Sequence, residues 1–233
     1  MSGQVRGDSE KEIIYKLIKE RLKKQSFSML TEMIQYVETS LIKDENFNRN
    51  KIEKLIKGLL QKKRILIGTQ LTRDDILETP IRNDIFLFIQ QNPGANINEI
   101  IRENNLGSNQ ALWHLKFLQK FEFIRSKSLQ NQKAFFPSNI PSNLDLALFF
   151  LRNDKIKNLI NFFTQNKELL SATAISDNLN MHYSTTKKYL EILEQLAVVE
   201  VHNNEGKTLY RLNEGRYKDL LTKTNELIKQ DHV

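Results

Sequence analysis

"GSNQALWHLKFLQKFEFI", Gly107–Ile124, is the stretch whose reading decides the fold. Ser108 stands where an N-cap belongs, with a side-chain oxygen to accept from the free N–H groups of a first helical turn. Leu112, Leu115 and Leu118 then recur at three-residue steps, the spacing of a helix face turned to a core, and Asn109, Gln110, Trp113 and Lys116 fall on the other face. After Lys120 the pattern changes. "FIRSKS" (123–128) and "KAFFPS" (133–138) read as two strands around the polar loop Leu129–Gln132. Upstream, Pro80 opens a helix with Ile81, Ile85, Phe88 and Ile89 on one side, which Asn92-Pro93-Gly94 stops. Asn96 or Asn98 starts a short helix carrying Ile97, Ile100 and Ile101, and Leu106-Gly107 turns the chain into the third helix. Helix, helix, turn, helix and hairpin, in that order, are the parts of a winged helix.

The same order returns downstream. Sliding the chain by 75 residues brings Ile81 onto Ile156, Phe88 onto Phe163, Leu115 onto Leu190, Leu118 onto Leu193 and Phe135 onto Tyr210, with no gap. In this second copy Ser184 is the expected N-cap, Tyr189, Leu190, Leu193 and Leu196 are the expected inward face, and Asn203-Asn204-Glu205-Gly206 supplies the hairpin turn. Residues 28–67 read as two helices and a short strand at Ile65–Leu66, an order that echoes the other two units. The expected fold class is therefore mainly α with small β wings: tandem winged helix-turn-helix domains, two clear and a third, divergent one at the N-terminus. The boundaries implied are a disordered start at residues 1–9, an N-terminal helical, divergent winged-helix domain at 10–77, winged-helix domains at 78–140 and 141–213, and a C-terminal helix at 214–233. Ile13, Ile14, Leu17, Ile18 and Leu22 near the start, and Tyr217, Leu220, Leu221, Leu227 and Ile228 near the end, form apolar stripes that pack on their own domains or pair across a homodimer.

Composition bounds the chemistry. With 39% apolar and 27% charged residues the 233-residue chain is a folded soluble type. No apolar run reaches membrane-spanning length, and "MSGQVRGDSE" lacks the apolar core of a secretory signal, so a cytoplasmic protein off the membrane is expected. The absence of cysteine removes disulfides, thiolate metal sites and thiol nucleophiles. His114 reads as a hydrogen-bonding side chain of its own domain, and His182, His202 and His232 have no His or Cys partner three or four residues on, so neither a metal nor any other cofactor is expected. No phosphate-binding glycine loop, nucleophile elbow or His-Glu-x-x-His occurs, and Asp74-Asp75 reads as the cap of a turn, which leaves no footing for an enzyme. A net charge of +7 favours acidic partners, and the basic excess lies in residues 1–140, since residues 141–233 are balanced. Lys62-Lys63-Arg64 is either a solvated helix end or a phosphate patch.

"NPGANINEIIRENNLGSNQALWHLKFLQKFEFIRSKSLQNQKAFFP", Asn92–Pro137, resembles the winged helix-turn-helix domains of archaeal and bacterial transcriptional regulators of the ArsR/MarR-like type. In that family the run is Asn-Pro-Gly, a short helix, a Leu-Ser turn and a recognition helix ending in a Tyr/His-His-Leu segment; Ser108 stands at the turn serine and Trp113-His114-Leu115 at the closing segment. The resemblance implies a regulator of transcription that binds double-stranded DNA, usually as a dimer. Tandem winged helices also build ESCRT subunits and polymerase-associated subunits, where the same face binds protein, so a winged-helix interaction scaffold is the alternative.

On the DNA reading the third helix enters the major groove. The candidate contacts are then Ser108, Asn109, Gln110, Trp113 and Lys116 in the first copy and Thr185, Thr186, Lys187 and Lys188 in the second, with Lys127, Gln130 and Lys133 of one wing and Asn204 and Lys207 of the other meeting phosphate or the minor groove. This helix carries no arginine. Trp113 therefore has three readings: packed against its own domain, a hot spot for a protein partner, or a groove-lining residue.

Overall fold

The computed structural model describes the backbone of residues 2–204 and 206–230 and the side chains of residues 9–204 and 206–228. It is mainly helical, with two three-stranded antiparallel sheets. Two compact units form: one takes the chain up to Phe86 together with Gly107–Ile124, the other Leu87–Leu106 together with the chain from Arg125 onward.

The first unit is built on three N-terminal helices: α1 (Ser2–Leu22), α2 (Leu30–Ser40) and α3 (Arg49–Gln61). Ile14, Ile18 and Leu22 of α1 recur every four residues, and with Met33, Ile34 and Val37 of α2 and Ile52, Ile56 and Leu59 of α3 they close one buried core. Asn48 caps α3 by accepting from the Lys51 N–H. The strand expected at Ile65–Leu66 is not formed, and no strand occurs among the described residues before Ala95. Instead Lys63 (φ 51°) ends α3 in the left-handed region, Ile65 is buried in the helical core, and Gly68 (φ 76°) donates its N–H to the Phe27 carbonyl at 2.9 Å. Ile65 thus finds burial without a partner strand, and the third wing is missing. The short helix α4 (Arg73–Ile76) follows, with Asp75 accepting from the Thr72 N–H (2.7 Å) and hydroxyl (2.6 Å), so Asp75 is a cap. Tyr15 donates to Asp74 at 2.6 Å, and Lys19 meets Asp75 at 3.0 Å. Arg64 is occupied by Glu12 (3.0 Å) and the Tyr15 ring, which removes it from the basic run as a phosphate contact. Helix α5 (Pro80–Gln91) begins in this unit, and the later helix α7 (Ser108–Lys120) belongs to it.

In the second unit, β1 (Ala95–Asn96) leads into α6 (Ile97–Glu103), and the hairpin β2 (Ile124–Leu129) and β3 (Gln132–Pro137) completes a sheet of order β1-β3-β2. Asn96 is the cap of α6, with its side chain accepting from the Asn98 and Glu99 N–H groups while Glu99 reaches back to the Asn96 N–H. A 3-10 turn (Ser142–Leu144) and α8 (Asp145–Leu151) follow, neither of them marked by the sequence pattern. Then come α9 (Asp154–Gln165), β4 (Leu170–Ser171), α10 (Ala172–Asn178), α11 (Tyr183–Gln195), β5 (Val199–Asn204), β6 (Lys207–Leu212) and α12 (Glu214–Gln230), with sheet order β4-β6-β5. Ile156, Leu159, Ile160 and Phe163 of α9, Leu190 and Leu193 of α11, and Val198, Tyr210 and Leu212 form its main core.

The bounds of β1, α6, α7, β2 and β3 return 75 residues later in β4, α10, α11, β5 and β6. The turns return with them. Asn105 (φ 50°) and Asn180 (φ 48°) both enter the left-handed region, and the next N–H bonds back to Ile101 and Ser176 respectively, the 6→1 closure of a Schellman motif. Glu122 (φ 57°) and Ala197 (φ 56°) repeat this after α7 and α11. Asparagine, which tolerates this conformation, therefore makes the turn that Leu106-Gly107 was expected to make.

Part of each terminal stripe packs internally, although Ile13 of the first is 40% exposed. Ile14, Ile18 and Leu22 lie in the first unit's core, Leu220 in that of the second, and Leu227 packs beside Leu129, Phe136 and Leu148.

Candidate nucleic-acid interface

Helix α7 is turned about its axis relative to the leucine pattern. Ala111, His114, Leu115 and Leu118 are buried, whereas Leu112 is 49% and Trp113 50% exposed. The inward line runs 111, 115, 118 in steps of four and three, one residue ahead of the line through Leu112. Leu112, expected in the core, is a surface residue. Gly107 holds the N-cap position without a side-chain bond, so Ser108 is the first helical residue and not the cap. Ser108, Asn109, Gln110 and Lys116 are exposed, and the helix contains no acidic residue.

Trp113 is held from beneath. Its ring meets His114 and Phe117 edge-on with centroids 4.9 and 4.8 Å away, and the Arg82 guanidinium lies 5.4 Å from the Trp113 ring and 5.1 Å from that of Phe117. Arg82 is 5% exposed, donates to the Ile76 carbonyl at 3.3 Å, and leaves its Nε without a partner. No carboxylate pairs with it among the described residues. His114 Nδ1 is likewise buried without a partner. Burial, with the Arg82 charge second, holds the His114 pKa below its ordinary 6.5. A lowered folded-state pKa means that the fold prefers the neutral ring. Its contribution is complete above pH 6.5 and is lost as the pH falls toward the folded-state value. We expect the unfolding midpoint to drop further between neutral and mildly acidic pH in the wild type than in His114→Gln; equal drops would show that His114 protonates as easily folded as unfolded.

In α11, Lys187 and Lys188 are exposed, Thr185 is half-buried and Tyr183 is 49% exposed. Thr186, expected among the DNA contacts, is instead 0% exposed, because Thr186, Leu190 and Leu193 form the inward line. Its hydroxyl has no partner. His182 takes the N-cap position expected of Ser184, and the Ser184 hydroxyl lies 2.8 Å from His182 Nδ1. The C-terminal half of α11 exposes Glu191 and Glu194, so positive charge is confined to its first half. At the wing tip Lys207 pairs with Asn204, both exposed, around Gly206 (φ 77°); Glu205 lies outside the described residues. Replacing a buried, unpaired hydroxyl by a methyl of the same shape removes a desolvation penalty. Thr186→Val is therefore expected to raise stability by roughly 1 kcal/mol and to leave DNA affinity unchanged. Weaker DNA binding at unchanged stability would return Thr186 to the surface.

The β2–β3 hairpin is tighter than its sequence suggests. Gln130 (φ 46°) and Asn131 (φ 63°) alone make the turn, and Leu129 and Gln132 belong to the strands. Two successive positive φ values match the twist of the flanking strands, which draws the chain into a two-residue connection. Lys133 is exposed, its Nζ 5.6 Å from the Phe135 ring. Lys127 lies 3.4 Å from Asp145, which is wholly buried and held at 2.6 and 2.8 Å by both terminal nitrogens of Arg125. The cation of Lys127 is thus shared with an internal carboxylate. Arg82 and Arg125 are absent from the sequence-based site, and no local pattern marks either.

No cluster of three or more potential metal-binding side chains occurs among the described residues, and no described helix is long and apolar enough to cross a membrane. His232 lies outside the described residues.

Short helix, left-handed turn, exposed helix and antiparallel hairpin are consistent with helix-turn-helix units bearing wings. The sequence is 26% identical over 172 residues to an uncharacterised HTH-type transcriptional regulator of Methanocaldococcus jannaschii, a match covering 73% of this chain and 43% of that protein. The chain thus spans less than half the length of that relative. A solved structure of the ESCRT-II endosomal trafficking complex aligns over 91% of this chain and 93% of that one, at 13% identity and a TM-score of 0.24, a likeness too slight to carry a conclusion. No family model matches.

Proposed function

We propose that the chain is a DNA-binding transcriptional regulator of the cytoplasm, whose winged helix-turn-helix domains, at residues 78–140 and 141–213, use α7 and α11 as recognition helices. The observation that carries the reading is the outward row of α7. Ser108, Asn109, Gln110 and Lys116 are exposed on a helix without acidic residues, directly after the short helix and turn of a helix-turn-helix. The second turn of α11 adds Lys187 and Lys188, and Lys127, Lys133 and Lys207 of the wings supply phosphate contacts. Similarity to an HTH-type transcriptional regulator supports the same function. The second reading, a protein-binding scaffold, is favoured by one feature, the exposed Leu112 and Trp113.

Selection of bound duplexes from a random pool at about 150 mM salt, followed by a salt titration, separates the two readings. A regulator enriches one motif and loses affinity with a log–log slope of about −0.9 per phosphate contacted. Weak binding without a motif, vanishing with salt, would sink the DNA reading.

A further inference from the structure

The outward row of α7 has a chemical composition that selects among base pairs. Asn109, Leu112, Trp113 and Lys116 are spaced 0, 3, 4 and 7, one contiguous face, and Gln110 borders it. In the major groove, guanine offers two acceptors suited to arginine or lysine, and cytosine a donor suited to aspartate or glutamate. This row has no Arg, Asp or Glu, and its one group suited to guanine, Lys116, stands at the far end of the face, seven residues beyond Asn109, where it is assigned to phosphate. Adenine offers a donor beside an acceptor, which the amide of Asn or Gln matches bidentately. Thymine offers the groove's one apolar group, its C5-methyl, which prefers an apolar neighbour.

Two amides and two half-exposed apolar side chains therefore suit A·T pairs. Trp113 is suited to this in another way. Clamped by His114, Phe117 and Arg82, its ring is ordered before any ligand arrives, so little rotamer entropy is left to lose. The Arg82 charge beneath it has no carboxylate partner among the described residues, and the helix above has no acid, so the face complements a polyanion and not an apolar protein surface alone.

We propose that α7 reads an A·T-rich major-groove site, with Leu112 and Trp113 packing on thymine methyls beside adenine contacts from Asn109 and Gln110. This rests on the DNA-binding reading. The test begins with the motif selected from random duplexes, in which each thymine is then replaced by deoxyuridine; base pairing is kept and the methyl removed. Wild-type protein should lose affinity by about fourfold for each methyl that it touches, the equivalent of one buried methylene. Leu112→Ala and Trp113→Ala should each lose the methyl dependence only at the thymine that the replaced side chain touches, and the double variant should bind the thymine and deoxyuridine duplexes nearly alike, with far-ultraviolet circular dichroism as the folding control. If Trp113→Ala disturbs the fold, Leu112→Ala, at an exposed site, decides alone. A G·C-rich motif, or equal wild-type affinity for both duplexes, overturns the inference and leaves the DNA reading standing. No motif at all, with Trp113 required for binding a protein, overturns both.

Discussion

Arg125→Ala is expected to remove about 3–5 kcal/mol of stability from the second unit, because it leaves a buried charge without its main partner. Asp145 is wholly buried at the first position of α8, and Arg125 meets it with two bonds, donating also to the Ile140 carbonyl at 2.9 Å. This bidentate fork ties β2 to the chain leading into α8 beside the cluster of Leu129, Phe136, Ile140 and Leu148. The carboxylate itself has no exposure, so water reaches it only through the space that the guanidinium leaves. Lys127, 3.4 Å away, compensates in part, which places the expected loss toward the lower end of the range. Lys127→Ala should cost less than about 1 kcal/mol, since its side chain is 47% exposed and the main pair survives. The lone tryptophan, Trp113, belongs to the other unit, so its fluorescence is the wrong probe. Hydrogen exchange of amides in β3 and α8 reports the relevant opening. A loss below about 1 kcal/mol for Arg125→Ala would mean that the carboxylate is solvated, contrary to its burial.

What could be read beforehand follows from the range of the interaction concerned. The 75-residue repeat is a property of the sequence, and it located α10, α11 and the second hairpin because both copies were read together. The start of α6 was legible only as Asn96 or Asn98; the fold chooses Asn96, which shares a capping box with Glu99 three residues on. Helix phase was not, although it rests on neighbours: the leucines at 112, 115 and 118 and the buried set Ala111, His114, Leu115 and Leu118 share two members and differ by one position of rotation. A buried histidine and an exposed leucine defeat hydrophobicity as a guide there. Thr186 failed for the same reason, a polar side chain on an inward line. At Ile65 the residues suit a strand, but a strand needs another to pair with, and among the described residues none pairs with this stretch. The Arg125–Asp145 pair joins positions with no periodic relation, so only the folded chain shows it.

Replacing Asn109 and Gln110 together by alanine is expected to weaken binding to the selected motif by roughly 5- to 150-fold for each base that is no longer read, the equivalent of 1–3 kcal/mol apiece. Both side chains are exposed in the first turn of α7, where alanine is a better helix former than either, so stability should hold or rise slightly. Neutral amides release no counterions. The salt dependence of binding should therefore keep its slope while the affinity falls, and binding to unrelated duplex should not change. Lys116→Ala predicts the reverse: a slope reduced by about one, with sequence preference kept, if the lysine meets phosphate. The two variants together distinguish a helix that reads bases from one that merely lies along the backbone. Unchanged affinity of the double variant for the motif would remove α7 as the reader. Recognition would then pass to α11, whose exposed Lys187 and Lys188 suit guanine or phosphate, and Lys187→Ala with Lys188→Ala would carry the loss of specificity.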